Sequence, residues 1–128
     1  MTRAVWWLGG AERTADVTTA SEVEALAEPG AQHVMGIELG GIDDGGTLSI
    51  AVDGEGERWA LVVTDPQLDQ WCSLGERDDA TSTDVWWGES TAVPVKWFVP
   101  RSTALVAVER WLNDRTLDPA VEWCDACY

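Results

Sequence analysis

The residue types that could carry out catalysis are scarce in this chain of 128 residues. It has one histidine, His33, so a Ser–His or Cys–His nucleophilic pair would have to use that residue. No neighbouring residue completes such a pair, which favours a surface or strand-edge histidine. Adjacent acids occur at Asp43 and Asp44 and at Asp78 and Asp79, but they lie in glycine-rich or polar stretches, whereas a general acid needs a buried carboxyl with a raised pKa. The sequence therefore favours a protein that is not an enzyme; an enzyme built on His33 and an aspartate is one alternative.

The cysteines could bind zinc or form disulfides. Cys124 and Cys127 form a Cys-x-x-Cys pair near the end of the chain, and a structural zinc site typically takes its four ligands from two such pairs. The second pair is missing, and only Cys72 and His33 could supplement the first. The cysteine count is odd, and no secretion signal favours a disulfide framework. We therefore predict incidental thiols, no metal site and no cofactor; a small zinc protein that uses all four residues is a second alternative, which metal analysis would decide.

The chain is strongly acidic. It has 8 Lys+Arg against 23 Asp+Glu, a formal net charge of −15, of which residues 1–95 carry −14 and residues 96–128 carry −1. Direct binding to nucleic acid or to an anionic membrane surface is excluded because both require clustered Lys and Arg, whereas a basic protein partner fits. The sequence shows neither the apolar run of a signal peptide nor a stretch of about 20 apolar residues, so we expect a cytoplasmic protein.

The apolar pattern predicts an α+β fold in a single domain over residues 1–128. We expect an antiparallel or mixed sheet of about five to seven strands, with about two helices packed on one side of it. Alternating or short Val-, Ile- and Trp-rich runs predict strands over residues 3–8, 33–39, 47–53, 58–64, 83–88, 95–99 and 120–123. Thr19 and Glu22 form a capping box that predicts the start of a first helix, and Ser102 is expected to cap a second. Residues 65–82 are predicted to form a loop or short helical turn, and residues 90–94 a turn.

Tryptophan occurs nine times, and two pairs are adjacent: Trp6 with Trp7, and Trp86 with Trp87. Adjacent residues of a strand point to opposite faces, so one tryptophan of each pair is exposed unless helices or loops cover both faces. An exposed tryptophan beside acids is typical of a residue that dominates binding to another protein.

The C-terminal part of the sequence resembles the Imm1 family of bacterial immunity proteins. The resemblance rests on the pattern Ala-x-x-Ala-Val-x-x-aromatic-Leu over residues 104–112, followed by Pro119, Val121 and Trp123. Upstream, the hairpin around residues 56–59 and the strand over residues 48–52 also resemble the family. These features occur in the family's order, so the resemblance covers about the whole chain. The family often places a glycine in the turn after the helix, and residues 113–117 contain none.

This resemblance implies a non-enzymatic antidote. Imm1 proteins are encoded beside polymorphic toxins and neutralise them, and these toxins often end in a nucleic-acid deaminase domain. The implied partner is a cognate toxin domain, a zinc-dependent cytidine deaminase of the DNA-acting type. Such a toxin presents a basic groove to nucleic acid, which an acidic inhibitor could occupy. The signature residues Trp111, Pro119 and Trp123 are expected in the core and not in contact with the toxin.

We place the toxin contacts on the acid-rich turns and the tryptophans near them. The predicted partner-binding residues are Asp43, Asp44, Glu55, Glu57, Glu76, Asp78, Asp79, Asp84, Trp86 and Trp87. The main alternative function is an acidic DNA-mimic inhibitor of a nuclease or restriction enzyme, which shares the charge but requires carboxylates spaced like phosphates along one face. In this sequence the acids are scattered through turns, which favours the immunity protein.

Overall fold

Strands dominate the residues that the computed structural model describes, which are 2–8, 11–27, 34–41, 45–53, 56–75 and 81–125. The strands are β1 (Thr2–Leu8), β2 (Ala11–Val17), β3 (Met35–Gly41), β4 (Gly46–Val52), β5 (Arg58–Thr64), β6 (Gln70–Leu74), β7 (Ser82–Trp86), β8 (Ser90–Pro94), β9 (Phe98–Pro100) and β10 (Glu122–Asp125). The helices are α1 (Ala20–Leu26) and α2 (Arg101–Asp114), and a 3₁₀ turn covers Val95–Trp97. Neither helix in these ranges is long and apolar enough to cross a membrane.

Eight strands form the main sheet, in the order β10-β6-β5-β4-β3-β1-β2, with β9 also paired to β5. The remaining two, β7 and β8, form a separate hairpin. All the strand pairs within the described ranges are antiparallel. The predicted α+β class is therefore confirmed, but the predicted number of five to seven strands is wrong, since the main sheet alone has eight.

The sequence prediction missed β2, β6 and β8. Strand β2 lies at the edge of the sheet and buries only Val17, so its sequence has no apolar alternation, and pairing with β1 alone defines it. Strand β6 was predicted as loop or helical turn and β8 as a turn, yet β6 pairs with both β5 and β10, and β8 pairs with β7. Conversely, the strand predicted over residues 95–99 is a 3₁₀ turn followed by the short strand β9.

Helix α1 begins as the capping box predicts. The Thr19 hydroxyl accepts a hydrogen bond from the Glu22 backbone N–H at 3.2 Å. The Glu22 carboxylate accepts in return from the Thr18 hydroxyl at 2.7 Å and from the Thr18 backbone N–H at 3.2 Å. These hydrogen bonds lower the pKa of the Glu22 carboxyl, with the Thr18 hydroxyl as the largest cause. Local chemistry thus accounts for most of this helix start, and the Ala20 N–H adds a hydrogen bond to the Glu109 carboxylate of α2 at 3.4 Å.

Helix α2 differs from the prediction at both ends. It begins at Arg101 after Pro100 without a side-chain cap, so the expected Ser102 cap is wrong. It ends with Arg115 in the left-handed conformation (φ 61°), the position at which a glycine would be free of strain. The Arg115 guanidinium offsets this strain, because it lies 4.2 Å from the Trp111 ring centroid and donates to the carbonyl oxygens of Trp111 and Leu112 and to the Thr2 hydroxyl. The Arg115 side chain thus stabilises a helix end that has no glycine.

The main sheet separates two apolar clusters. Both helices pack on one face, where they form a helix-side core with Trp59, Ile50, Leu61 and Trp111 among its most buried members. The hairpin covers part of the other face, where Val85, Val93, Trp97 and Phe98 form a hairpin-side core against the sheet residues Ala51, Ala60, Val62 and Cys72. Burial of each large apolar side chain contributes about 1.5–3 kcal/mol. The prediction that the helices pack on one side of the sheet is confirmed.

Candidate functional site

The hairpin of β7 and β8 is held against the main sheet at Gly36 of β3. A Cβ atom added at Gly36 would lie 2.1 Å from the carbonyl oxygen of Trp86 and 2.7 Å from Cδ1 of Trp87. Only glycine allows the hairpin backbone to approach this closely. The indole N–H of Trp87 also donates to the carbonyl oxygen of Ile50 at 2.9 Å. These contacts determine which hairpin side chains face the sheet and which face solvent.

Trp86 is the exposed member of the second tryptophan pair. Its side chain is 49% exposed, whereas Trp87 is half-buried. Asp84, two residues earlier on the same side of β7, is also exposed, as is Glu89 in the hairpin turn. The hairpin therefore presents a large aromatic side chain together with carboxylates, a combination typical of contacts with another protein.

The first tryptophan pair is covered on both sides of the sheet. Trp6 packs against the helix-side core. Trp7 points to the opposite face, where its ring lies 3.5 Å from the position of a Cβ atom at Gly88 in the hairpin turn. Both side chains are half-buried, so this pair offers no exposed tryptophan comparable to Trp86.

Beside the hairpin, part of the same sheet face remains partly accessible. We call this region the open sheet face; its half-buried side chains are Val5, Trp7, Glu38, Thr47 and Ser49. Glu38 lies at its centre, since it is opposite Val5 of β1 and opposite Ser49 of β4 in the strand register. The open sheet face and the exposed side of the hairpin are adjacent, because Trp7 contacts the hairpin turn and Gly36 of β3 contacts Trp86 and Trp87.

The carboxylate of Glu38 is electrostatically unfavourable in its position. Burial raises the pKa of the Glu38 carboxyl above its usual value, and the negative charge of Glu89 raises it further. No hydrogen-bond donor or cation of the described residues contacts this carboxylate within hydrogen-bond or ion-pair distance. The site thus has an acidic group that the described residues leave without a compensating partner.

The structure brings together only some of the predicted contact residues. Asp84, Trp86 and Trp87 lie on one hairpin. Glu57 is exposed in the turn before β5, where its carbonyl oxygen accepts from the N–H of Arg101 at the start of α2, so it is not part of this group. The remaining predicted contacts lie outside the described residues: Asp43, Asp44, Glu55, Glu76, Asp78 and Asp79.

Sequence reasoning missed Glu38 and Glu89. The available signal was an acid in the middle of Met35–Gly41, a strand whose other residues are apolar or glycine. That signal did not show which face of the sheet is left open, because this depends on where the hairpin docks.

The signature residues of the C-terminal part are mostly structural. Trp111 is 2% exposed, and Trp123 packs against the helix-side core while its indole N–H donates to the carbonyl oxygen of Asp118 at 2.9 Å. The predicted core position is thereby confirmed for both tryptophans. It is wrong for Pro119, which is exposed in the turn before β10.

The zinc alternative finds no support in the described part of the chain. Within it, no three His, Cys, Asp or Glu side chains are grouped so that they could hold a metal ion. Cys72 is fully buried and disulfide-bonded, so the expectation that the cysteines form no disulfide is wrong for this residue, and its sulfur is not available as a thiolate ligand. His33 and Cys127, two further residues of that alternative, lie outside the described residues.

Comparison with known proteins agrees with the resemblance carried by α2 and β10. No curated protein matches the sequence. The family profile described as Immunity protein Imm1 matches residues 11–125, which extend from the start of β2 to the end of β10 and include the hairpin and Glu38. Since this match spans most of the chain, the protein belongs to the Imm1 family of immunity proteins.

Proposed function

We propose that this chain is the antidote to a cognate bacterial toxin, which it binds and neutralises without catalysis, as a single domain over residues 1–128 that acts in the cytoplasm. Membership of the Imm1 family is the observation that carries this proposal. We propose further that the toxin acts on nucleic acid, and that a zinc-dependent DNA cytidine deaminase domain is the first class to test. An enzyme of this kind must offer a basic groove to its substrate, and the net charge of −15 complements such a groove.

Neutralisation in this proposal is physical obstruction. The acidic surface occupies the groove that the nucleic acid backbone needs, so the substrate cannot reach the active site. Complementary charge accelerates the encounter and disfavours partners of the same sign. No step requires a reactive group on the antidote.

The exposed side of the hairpin is the best-positioned contact among the predicted residues. Trp86 supplies apolar area that is lost from water on binding, and Asp84 supplies charge beside it. Trp87 has a different part in this proposal, since its indole N–H is already bonded to the carbonyl oxygen of Ile50 and holds the hairpin in place. The acids of the turns outside the described residues remain predicted contacts.

The test is binding and inhibition of the toxin domain encoded next to this gene, with Trp86→Ala as the variant. We expect Trp86→Ala to weaken binding by about tenfold to a hundredfold, the range of a residue that dominates an interface. Val106→Ala is the matched control, because Val106 is 57% exposed on α2 and its removal should change affinity by less than about twofold. Titration calorimetry gives the affinity, and deamination of a DNA oligonucleotide gives the inhibition.

Two outcomes would contradict parts of this proposal. If the neighbouring protein neither binds nor is inhibited, the antidote function fails. If it binds but has no activity on nucleic acid, only the proposed toxin class fails. Binding should be measured with and without reductant, since Cys72 is disulfide-bonded and a reducing cytoplasm disfavours disulfides.

A further inference from the structure

The open sheet face combines accessibility with a negative charge that none of the described residues neutralises. The hairpin buries Ala51 and Ala60 on its side of the sheet. On the same face, outside the hairpin-side core, the side chains of Val5, Glu38 and Ser49 are only half-buried. A half-buried carboxylate loses part of its hydration, and that loss is offset only by a donor or a cation. Among the described residues none contacts Glu38 through a donor or a cation, so a cation supplied by a binding partner would offset this loss.

The charges around Glu38 are predominantly negative. By strand alternation, β1 places Arg3 on this face, and β2 places Glu12 and Asp16 there, all three exposed. The hairpin adds Glu89, whose charge acts directly on Glu38. Of these residues, Arg3 is paired in register with Asp16, whereas Glu38 is opposite Val5. The open sheet face therefore complements a positively charged group and repels an acidic one.

We propose that the open sheet face receives a basic segment of the toxin, and that Glu38 pairs with an arginine or lysine side chain of that segment beside the Trp86 hairpin. This inference rests on the proposed antidote function and specifies the surface that performs it. The hairpin forms one wall of the site, because its turn rests on Trp7 and its backbone on Gly36. Ser49, the register partner of Glu38 on β4, has a small side chain and is half-buried.

Partial burial makes such an ion pair contribute more to the free energy of binding than an ion pair on the open surface would. An exposed pair such as Glu24 with Arg101, which links α1 to α2, is screened by water and salt. At Glu38 the carboxylate is already partly desolvated in the free protein, so less hydration is lost when the toxin binds. The unfavourable charge of the free state thereby becomes a preorganised contact in the complex.

The experiment compares Glu38→Gln with Glu122→Gln in binding to the same toxin domain. Glu122 is exposed on β10, at the opposite end of the sheet, so it controls for the loss of one negative charge. We expect Glu38→Gln to weaken binding by at least about tenfold and Glu122→Gln by less than about twofold. Thermal unfolding of both variants verifies that the fold is intact, and the isosteric amide preserves packing.

Further measurements separate this inference from the antidote function itself. Alanine scanning of the toxin's arginines and lysines should find one residue whose removal weakens binding to the wild type but not to Glu38→Gln, which identifies the paired cation. If the wild type binds and inhibits the toxin but Glu38→Gln binds equally well, the assignment of the open sheet face is wrong and the antidote function stands. If the wild type does not bind, the antidote function itself fails.

Discussion

At the residue scale, Glu38 is a charged group whose position opposes stability. Its position between Val5 and Ser49 would suit a neutral or apolar side chain, since both neighbouring strands partly shield it from water. The raised pKa of its carboxyl reports the same conflict, because burial and the charge of Glu89 both disfavour the ionised form. A residue kept under such conditions is a candidate for a binding role.

The stability of the Glu38→Gln variant should therefore depend on pH differently from that of the wild type. Because the folded-state pKa of Glu38 lies above its usual value of 4.5, the folded protein binds the proton more tightly than the unfolded chain. The contribution of Glu38 to the free energy of unfolding is thus fully present below about pH 4.5 and is lost as the pH rises through the folded-state pKa. Glutamine carries no charge, so we expect the variant to have the higher melting temperature at pH 7 and no advantage at pH 4.

Urea or thermal unfolding at a series of pH values between these limits measures this difference. Glu122→Gln again serves as the control, since its exposed position predicts no comparable gain. A wild type that is as stable as Glu38→Gln at neutral pH would contradict the view that this carboxylate is uncompensated.

At the element scale, the hairpin and the sheet depend on one close contact. Gly36 leaves no space for a side chain, because the Trp86 carbonyl and the Trp87 ring occupy the position. The hydrogen bond from Trp87 to Ile50 then orients the hairpin so that Trp86 faces solvent. The exposed contact surface is thus a consequence of a glycine on a different strand.

Substitution of Gly36 by alanine should displace the hairpin. Because the obstructing atoms include backbone, we expect a loss of about 1–3 kcal/mol in the free energy of unfolding and weaker toxin binding. Gly41→Ala is the matched control on the same strand, since a Cβ atom there meets nothing within 4 Å. Denaturant unfolding followed by tryptophan fluorescence measures both variants, and equal stability would contradict the close contact at Gly36.

The sequence predicted elements whose signal is local and missed those defined by partners. Helix α1 was predicted because Thr19 and Glu22 interact within one turn, and strands β4 and β5 because their apolar residues alternate. Strand β2 was missed because its side chains are almost all exposed. The candidate site divides in the same way, since Trp86 was recognised by residue type, whereas Glu38 depends on the register between β1, β3 and β4.

The whole molecule carries its charge unevenly. Residues 1–95 hold −14 of the net −15, and these residues include the open sheet face and the whole hairpin, whereas the nearly neutral C-terminal quarter contains α2. An uneven acidic field orients a basic partner during the approach as well as attracting it.

Association with the toxin should therefore depend strongly on salt. Since the Debye length falls from roughly 10 Å at 0.1 M to roughly 3 Å at 1 M, long-range attraction is screened across this range. We expect the association rate constant to fall by at least about tenfold between low and high salt, with a smaller change in the dissociation rate constant. Stopped-flow or surface-based kinetics measures both, and an association rate constant that does not change with salt would show that charge does not steer the encounter.

The separation of the two apolar clusters by the sheet also affects which positions of this protein can change in evolution. The helix-side core and the hairpin-side core share no side chains, and the exposed positions Asp84, Trp86 and Glu89 lie on the hairpin alone. Substitutions at these positions leave the packing of both helices unchanged, so the exposed side of the hairpin can vary in sequence while the scaffold stays constant. Gly36, in contrast, does not tolerate such variation, because every new side chain there would meet the Trp86 carbonyl and displace the hairpin.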